Sequence, residues 1–108
     1  MVTRNTVETL AFLEQLAGGP LTFGRLLRAI REGDATSQVD FARRLGVSKQ
    51  NLSDLEHDRR GVSVERAASW ATTLGYHPEQ FVQLALQAQV RAAGLPYAVR
   101  VTRLRDAA

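Results

Sequence analysis

Lys49, Gln50 and Asn51 stand in a row, with Asp54 four residues after Gln50 and Arg59-Arg60 shortly beyond. These side chains offer an ammonium, two amides, a carboxylate and two guanidinium forks, a set suited to hydrogen bonding rather than to making bonds. On one face of a short helix, Lys49, Gln50, Asn51, Ser53 and Asp54 would reach outward together, toward base edges if that helix entered a DNA groove.

Other chemistries find little support. Cysteine is absent, and the two histidines, His57 and His77, lie far apart, so neither a disulfide framework nor a structural zinc site is expected. Ser37, Ser48, Ser53, Ser63 and Ser69 read as helix caps or small surface residues, and none has a histidine–acid pair suggested beside it. The carboxylates are dispersed, and no glycine-rich loop follows a strand. Neither catalysis nor a cofactor is expected. The net charge is +3, carried by 13 arginines and one lysine. Arginine's planar fork suits phosphate, but a GC-rich genome produces the same bias, so charge alone names no partner. No run approaches the roughly 18 apolar residues of a membrane span, and Glu8 and Glu14 interrupt the N-terminal apolar stretch. No membrane association is expected, and a cytoplasmic location is.

The elements that must position these groups read as helices. Asn5 caps a first helix, with Glu8 completing a capping box and Val7, Leu10, Leu13, Leu16 and Ala17 following before Gly18-Gly19-Pro20. A second starts near Thr22, with Phe23, Leu26, Leu27 and Ile30 as its stripe and Arg25, Arg28, Arg31 and Glu32 opposite. Ser37 caps a short third helix whose buried positions are Val39, Phe41, Ala42 and Leu45, ended by Gly46. Ser48 caps a fourth, buried through Leu52 and Leu55. Ser63 caps a fifth, with Val64, Ala67, Ala68, Ala71 and Leu74 inward and Trp70 partly buried. Pro78 opens a sixth that carries Phe81, Val82, Leu84, Ala85, Ala88 and Val90. In the tail, Tyr97, Val99 and Val101 alternate with Ala98, Arg100 and Thr102, which predicts a β-strand in need of a partner.

Two short helices joined by a few residues containing glycine make a helix-turn-helix unit, whose second helix can enter the major groove. The stretch SQVDFARRLGVSKQNLSDLEHDRRGVSVERAASWATTLG resembles the helix-turn-helix domain of the phage Cro and repressor superfamily, the Xre family. Its specific points are Gln38, Phe41-Ala42, Leu45-Gly46-Val47-Ser48, Leu55-Glu56, Arg59-Arg60, and Ala71 to Leu74-Gly75.

The resemblance implies an all-α, five-helix lambda-repressor-like domain, here with an extra N-terminal helix and a short C-terminal strand. Residues 1–19 would form the N-terminal extension, 22–94 the DNA-binding domain and 95–108 the strand and tail. It also implies roles. Lys49, Gln50, Asn51 and Asp54 are expected at base edges: Gln50 bidentate to adenine, Lys49 donating to guanine, Asp54 accepting from cytosine or weakening binding by its charge. Gln38, Arg43, Arg44, Ser48, Ser53, Arg59 and Arg60 are expected near the backbone. Glu56 reads as an internal ion pair or hydrogen bond, and Gln38 alternatively as a helix cap. Asp58 stands where the family usually has glycine, which asks it to adopt an unusual backbone angle.

Across Phe23 to Gly75 nine basic residues face seven acidic ones, so affinity should rest on dimerisation and local patches. The expected function is a sequence-specific repressor of double-stranded operator DNA, a homodimer associated with the nucleoid when bound. Small members with such extensions are similar to antitoxins of type II toxin–antitoxin operons. That similarity implies autoregulation and a toxin partner. The tail strand with Tyr97, Val99 and Val101 has three readings: pairing with its symmetry mate in a dimer, adding to the sheet edge of a partner protein, or folding back on its own helices. A stand-alone or phage-type repressor and a protein-interaction module without DNA binding are the alternatives.

Overall fold

Helix starts follow one local rule in this chain. Thr22, Ser37, Ser48 and Ser63 sit in extended backbone, and each hydroxyl accepts a hydrogen bond from the amide three residues on. Such a cap satisfies an amide that has no partner inside the helix and contributes about 1 kcal/mol. The computed structural model describes residues 21–105, and there the caps open α1 (Phe23–Gly33), α2 (Gln38–Leu45), α3 (Lys49–Glu56) and α4 (Val64–Leu74). The fifth helix, α5 (Pro78–Ala92), instead starts on proline, whose missing N–H would have had no partner there. The N-terminal helix expected over residues 5–17 lies outside the described residues.

The turn between α2 and α3 is three residues, Gly46-Val47-Ser48. Gly46 takes the left-handed conformation at φ 76°, its amide bonds to the Arg43 carbonyl (3.2 Å), and the Val47 amide bonds to the Ala42 carbonyl (3.0 Å). This closure places Val47 against the core. A Cβ at Gly46 would meet no atom, so what requires glycine there is the backbone angle.

α3 packs on α1 and α2, α4 packs on α5, and α1 also touches α5. Between them lie Leu26, Leu27, Ile30, Phe41, Leu52 and Phe81, all fully buried. Burying each such side chain stabilises the fold by about 1.5–3 kcal/mol relative to exposure. Phe23 meets Phe81 edge to face at 5.8 Å between centroids. Trp70, expected to be partly buried, is 5% exposed, and its indole N–H donates to the Leu45 carbonyl (3.1 Å). That bond ties α2 to α4. Val39, expected in the core, is 47% exposed. Phe41, Ala42 and Leu45 already fill the inner face of so short a helix, and Val39 falls outside it.

The expected C-terminal strand is not formed among the described residues. The tail is extended, but it lies along α5 and pairs with no strand. The Val99 amide donates to Gln87 Oε1 (2.7 Å), Gln87 Nε2 donates to the Tyr97 carbonyl (2.9 Å), and the Val101 amide donates to Gln83 Oε1 (2.9 Å). Arg103 closes the series on Glu79 at 3.3 Å. Glu79, Gln83 and Gln87 recur every fourth residue, one helical turn, while the tail contributes every second residue, so the two repeats stay in step. Glutamine side chains thus take the place of a partner strand. Val99 and Val101 are half-buried, whereas Tyr97 is exposed.

Candidate nucleic-acid interface

One buried carboxylate sets the pose of α3. Glu56 is 4% exposed and accepts from Arg31 on α1 through Nε (2.6 Å) and Nη2 (3.0 Å), and from Gln38 Nε2 on α2 (3.1 Å). Arg31 also donates to the Thr36 carbonyl (3.2 Å). The bidentate charge-assisted pair compensates the loss of water around both ions. The hydrogen bonds to Glu56 hold the Arg31 pKa above its ordinary value, so that guanidinium stays charged. Glu56 therefore forms the internal ion pair its register suggested. Gln38 spends its amide on that carboxylate. Its backbone is not the cap of α2, since Ser37 fills that role.

Opposite this anchor, α3 shows a polar face. Lys49 and Gln50 are exposed, while Asn51, Ser53 and Asp54 are half-buried. Gln50 Nε2 donates to Asp54 Oδ1 (3.1 Å), and the same oxygen accepts from Arg59 Nε (3.2 Å) and Nη2 (3.1 Å). Asp54 is thereby paired with a cation and orients the Gln50 amide. These contacts make it an organiser of the polar face. The Asn51 side-chain oxygen Oδ1 is buried with no partner among the described residues, so Asn51 does not open outward as its neighbours do.

The expected backbone contacts divide into two groups. Arg59 and Arg60 are exposed on the loop after α3, and Arg60 makes no ion pair among the described residues. Ser48 already accepts the Asn51 amide as cap, and the Ser53 carbonyl lies 2.8 Å from His57 Nδ1. Arg43 points to solvent with Asp40 beside it (3.0 Å), whereas Arg44 donates to the Thr73 carbonyl at the end of α4 (3.1 Å). The two adjacent arginines diverge, as neighbours on a helix must.

Asp58 takes the unusual angle expected of it, φ 57°. Its carboxylate explains why aspartate serves where the resemblance leads one to expect glycine: it accepts from Thr22 Oγ1 (2.6 Å) and from the Gly24 amide (3.0 Å), capping α1 from across the structure. The loop carrying Arg59 and Arg60 is therefore fastened to the start of α1. Arg31, Thr22 and Gly24 were missed as positioning residues. A signal existed for the first. Glu56 lies four residues after Leu52 and beside Leu55, so an acid on the buried register required a buried partner.

Two short helices, a turn closed by a left-handed glycine and a second helix with a polar outer face define a helix-turn-helix DNA-binding domain. Residues 27–81, just over half of the chain, match the Helix-turn-helix family (HTH_3), and the chain belongs to that family of DNA-binding transcriptional regulators. No curated protein and no solved structure matches it. Among the described residues no helix is long and apolar enough to cross a membrane, and no cluster of three or more His, Cys, Asp or Glu could hold a metal ion.

Proposed function

We propose that the protein is a sequence-specific repressor that binds its operator as a homodimer in the cytoplasm and serves as the antitoxin of its own operon. The observation that carries the repressor reading is the Gln50–Asp54–Arg59 network on a helix anchored from behind by Glu56. One carboxylate holds an amide suited to base edges and a guanidinium suited to phosphate in a fixed relation. Lys49 and Gln50 read bases in this account, with Asn51 and Asp54 closer to the helix. Arg59 and Arg60 meet the backbone, joined by Gln38, Arg43, Arg44, Ser48 and Ser53 at the edges of the footprint. Two such helices in a dimer sit about 34 Å apart, one turn of DNA, or a multiple of it.

Two substitutions separate these roles. Gln50→Ala should weaken binding to the operator by about 1–3 kcal/mol and relax specificity at one position. Arg59→Ala should weaken binding to all sequences and flatten the salt dependence by about one unit of slope. Unchanged affinity in both variants removes the site assignment.

The dimer and antitoxin readings are supported by the tail. The amides of Val99 and Val101 turn toward α5, so by alternation Ala98, Arg100 and Thr102 present the other edge of an extended segment, which can add to a second copy or to a toxin. Arg100→Pro deletes one outward N–H and leaves the glutamine bonds in place. Co-purification of the neighbouring gene's product with the wild-type chain, lost in this variant, is the expected result. Co-purification with neither form speaks for a stand-alone repressor.

A further inference from the structure

A groove of about 510 Å³ lies between the C-terminal half of α5, the start of α1 and the loop after α3. Small-molecule sites fall in the range of about 300–1,000 Å³. The floor is apolar: Phe23, Val62, and Ala85, Ala88 and Ala92 from α5. Ala85 and Ala92 stand two helical turns apart, about 10 Å, a span that an extended chain of roughly eight to ten carbons covers.

The rim is cationic. Arg59, Arg60 and Arg91 line it, and Arg59 is paired with Asp54. Neither Arg60 nor Arg91 makes an ion pair among the described residues. The acid at the rim, Asp58, accepts from the Thr22 hydroxyl and the Gly24 amide, where the partial positive charge at the start of α1 offsets it. Arg60 and Arg91 thus leave positive charge unbalanced beside an apolar floor. A bare inorganic anion would leave the floor uncovered, and a neutral hydrocarbon would leave the charge unbalanced. A carboxylate on an aliphatic chain meets both demands, since its two oxygens match the planar fork of a guanidinium and its chain covers the floor.

We propose that this groove binds a free medium-chain carboxylate, its head at Arg60 and Arg91 and its tail along the alanine floor. Arg60 is also one of the loop cations assigned to DNA phosphate, and one guanidinium cannot serve both anions in full. Ligand and DNA then weaken each other's binding by the same factor, so the carboxylate acts as an inducer that releases DNA. The inducer half rests on the repressor reading; the binding half does not.

Calorimetric titration of the full chain with sodium decanoate, kept below its micelle threshold, tests the binding half. One saturable site per chain is expected, with no measurable binding of acetate, which lacks the tail, or of decyltrimethylammonium, which carries the opposite charge. Arg91→Ala, at an exposed position, should weaken decanoate by at least about tenfold, the loss of a charge-assisted contact. Ala88→Leu, which fills the floor, should weaken it as well. No decanoate binding, equal binding of the cationic amphiphile, or unchanged affinity in both variants overturns the site. Co-sedimentation of the chain with phosphatidylglycerol vesicles, lost in Arg91→Ala, also overturns it and assigns the groove to a lipid surface.

Anisotropy with a duplex from the protein's own upstream region then tests the inducer half. Saturating decanoate should weaken DNA binding by the wild-type chain about tenfold, with a salt slope shallower by roughly one as one phosphate contact is withheld. Arg91→Ala should bind the duplex like wild type and ignore the same decanoate concentration. Equal DNA affinity with and without decanoate refutes the inducer while leaving the site in place. No DNA binding under either condition, with decanoate bound, refutes the inducer together with the repressor reading and leaves the site established.

Discussion

Gly24 is held by space rather than by backbone angle. A Cβ there would fall 2.6 Å from Asp58 Oδ1 and closer still to the Leu55 carbonyl oxygen, which belongs to backbone and cannot swing aside. Gly24→Ala should therefore destabilise the fold by about 1–3 kcal/mol despite its better helix propensity. Thermal unfolding should show a midpoint lower by about 4–8 °C for each kcal/mol lost. An unchanged midpoint would mean that α1 and the loop do not meet as described. Glu56→Ala should cost about 2–3 kcal/mol, because it leaves the half-buried Arg31 guanidinium without its partner and releases Gln38. Glu32→Ala, which breaks the exposed Arg28–Glu32 pair, should change stability by less than about 0.5 kcal/mol. Denaturant titration of the two variants side by side checks the contrast. Glu56's role was readable from its place on the buried register. That of Gly24 was not, because its reason is an oxygen over thirty residues away in sequence.

Among the elements, the tail is held least firmly, by side chains instead of a ladder. Gln87→Ala removes the partner of the Val99 amide and of the Tyr97 carbonyl, so hydrogen exchange at Val99 should accelerate strongly while the amides of α2 and α3 keep their protection. Retained protection at Val99 would argue against the clasp. Its far end is sensitive to acid. The backbone amide of Glu79, free in the first turn of α5, and next the Arg103 guanidinium hold the Glu79 carboxyl below its ordinary pKa, against the opposing effect of burial. A lowered folded value means a contribution that is complete above the ordinary carboxylate pKa of about 4.3 and lost as pH falls through the folded value. Glu79→Gln should remove that part of the acid-side slope from the stability curve.

The helices were readable because their signals are local: a hydroxyl three residues before an amide, an apolar stripe, a glycine at the end. The tail's alternation was equally local, but the strand it predicted does not form, and of its three positions Val99 and Val101 are half-buried while Tyr97 is exposed. What the tail faced depended on Gln83 and Gln87, whose four-residue spacing matters only once α5 and the tail are packed together. The polar face of α3 was likewise visible in Lys49, Gln50 and Asp54, whereas the tie from Asp54 to Arg59 required the loop to fold back.

For the molecule as a whole, the balance of charge decides what sort of binding to expect. With nine basic and seven acidic residues from Phe23 to Gly75, the bulk field over DNA is weak, and Asp40, Asp54 and Asp58 each engage a neighbour inside or beside the domain. In the proposed homodimer, affinity would come from a few placed contacts doubled by symmetry, and binding would then depend strongly on sequence. The most direct measurement is fluorescence anisotropy of the full chain on DNA from its own upstream region, against a scrambled duplex of the same composition, across a salt series. The account predicts binding to the native duplex at least about a thousandfold tighter than to the scrambled one, weakening as salt rises. Equal, weak binding to both duplexes at every salt concentration would contradict it.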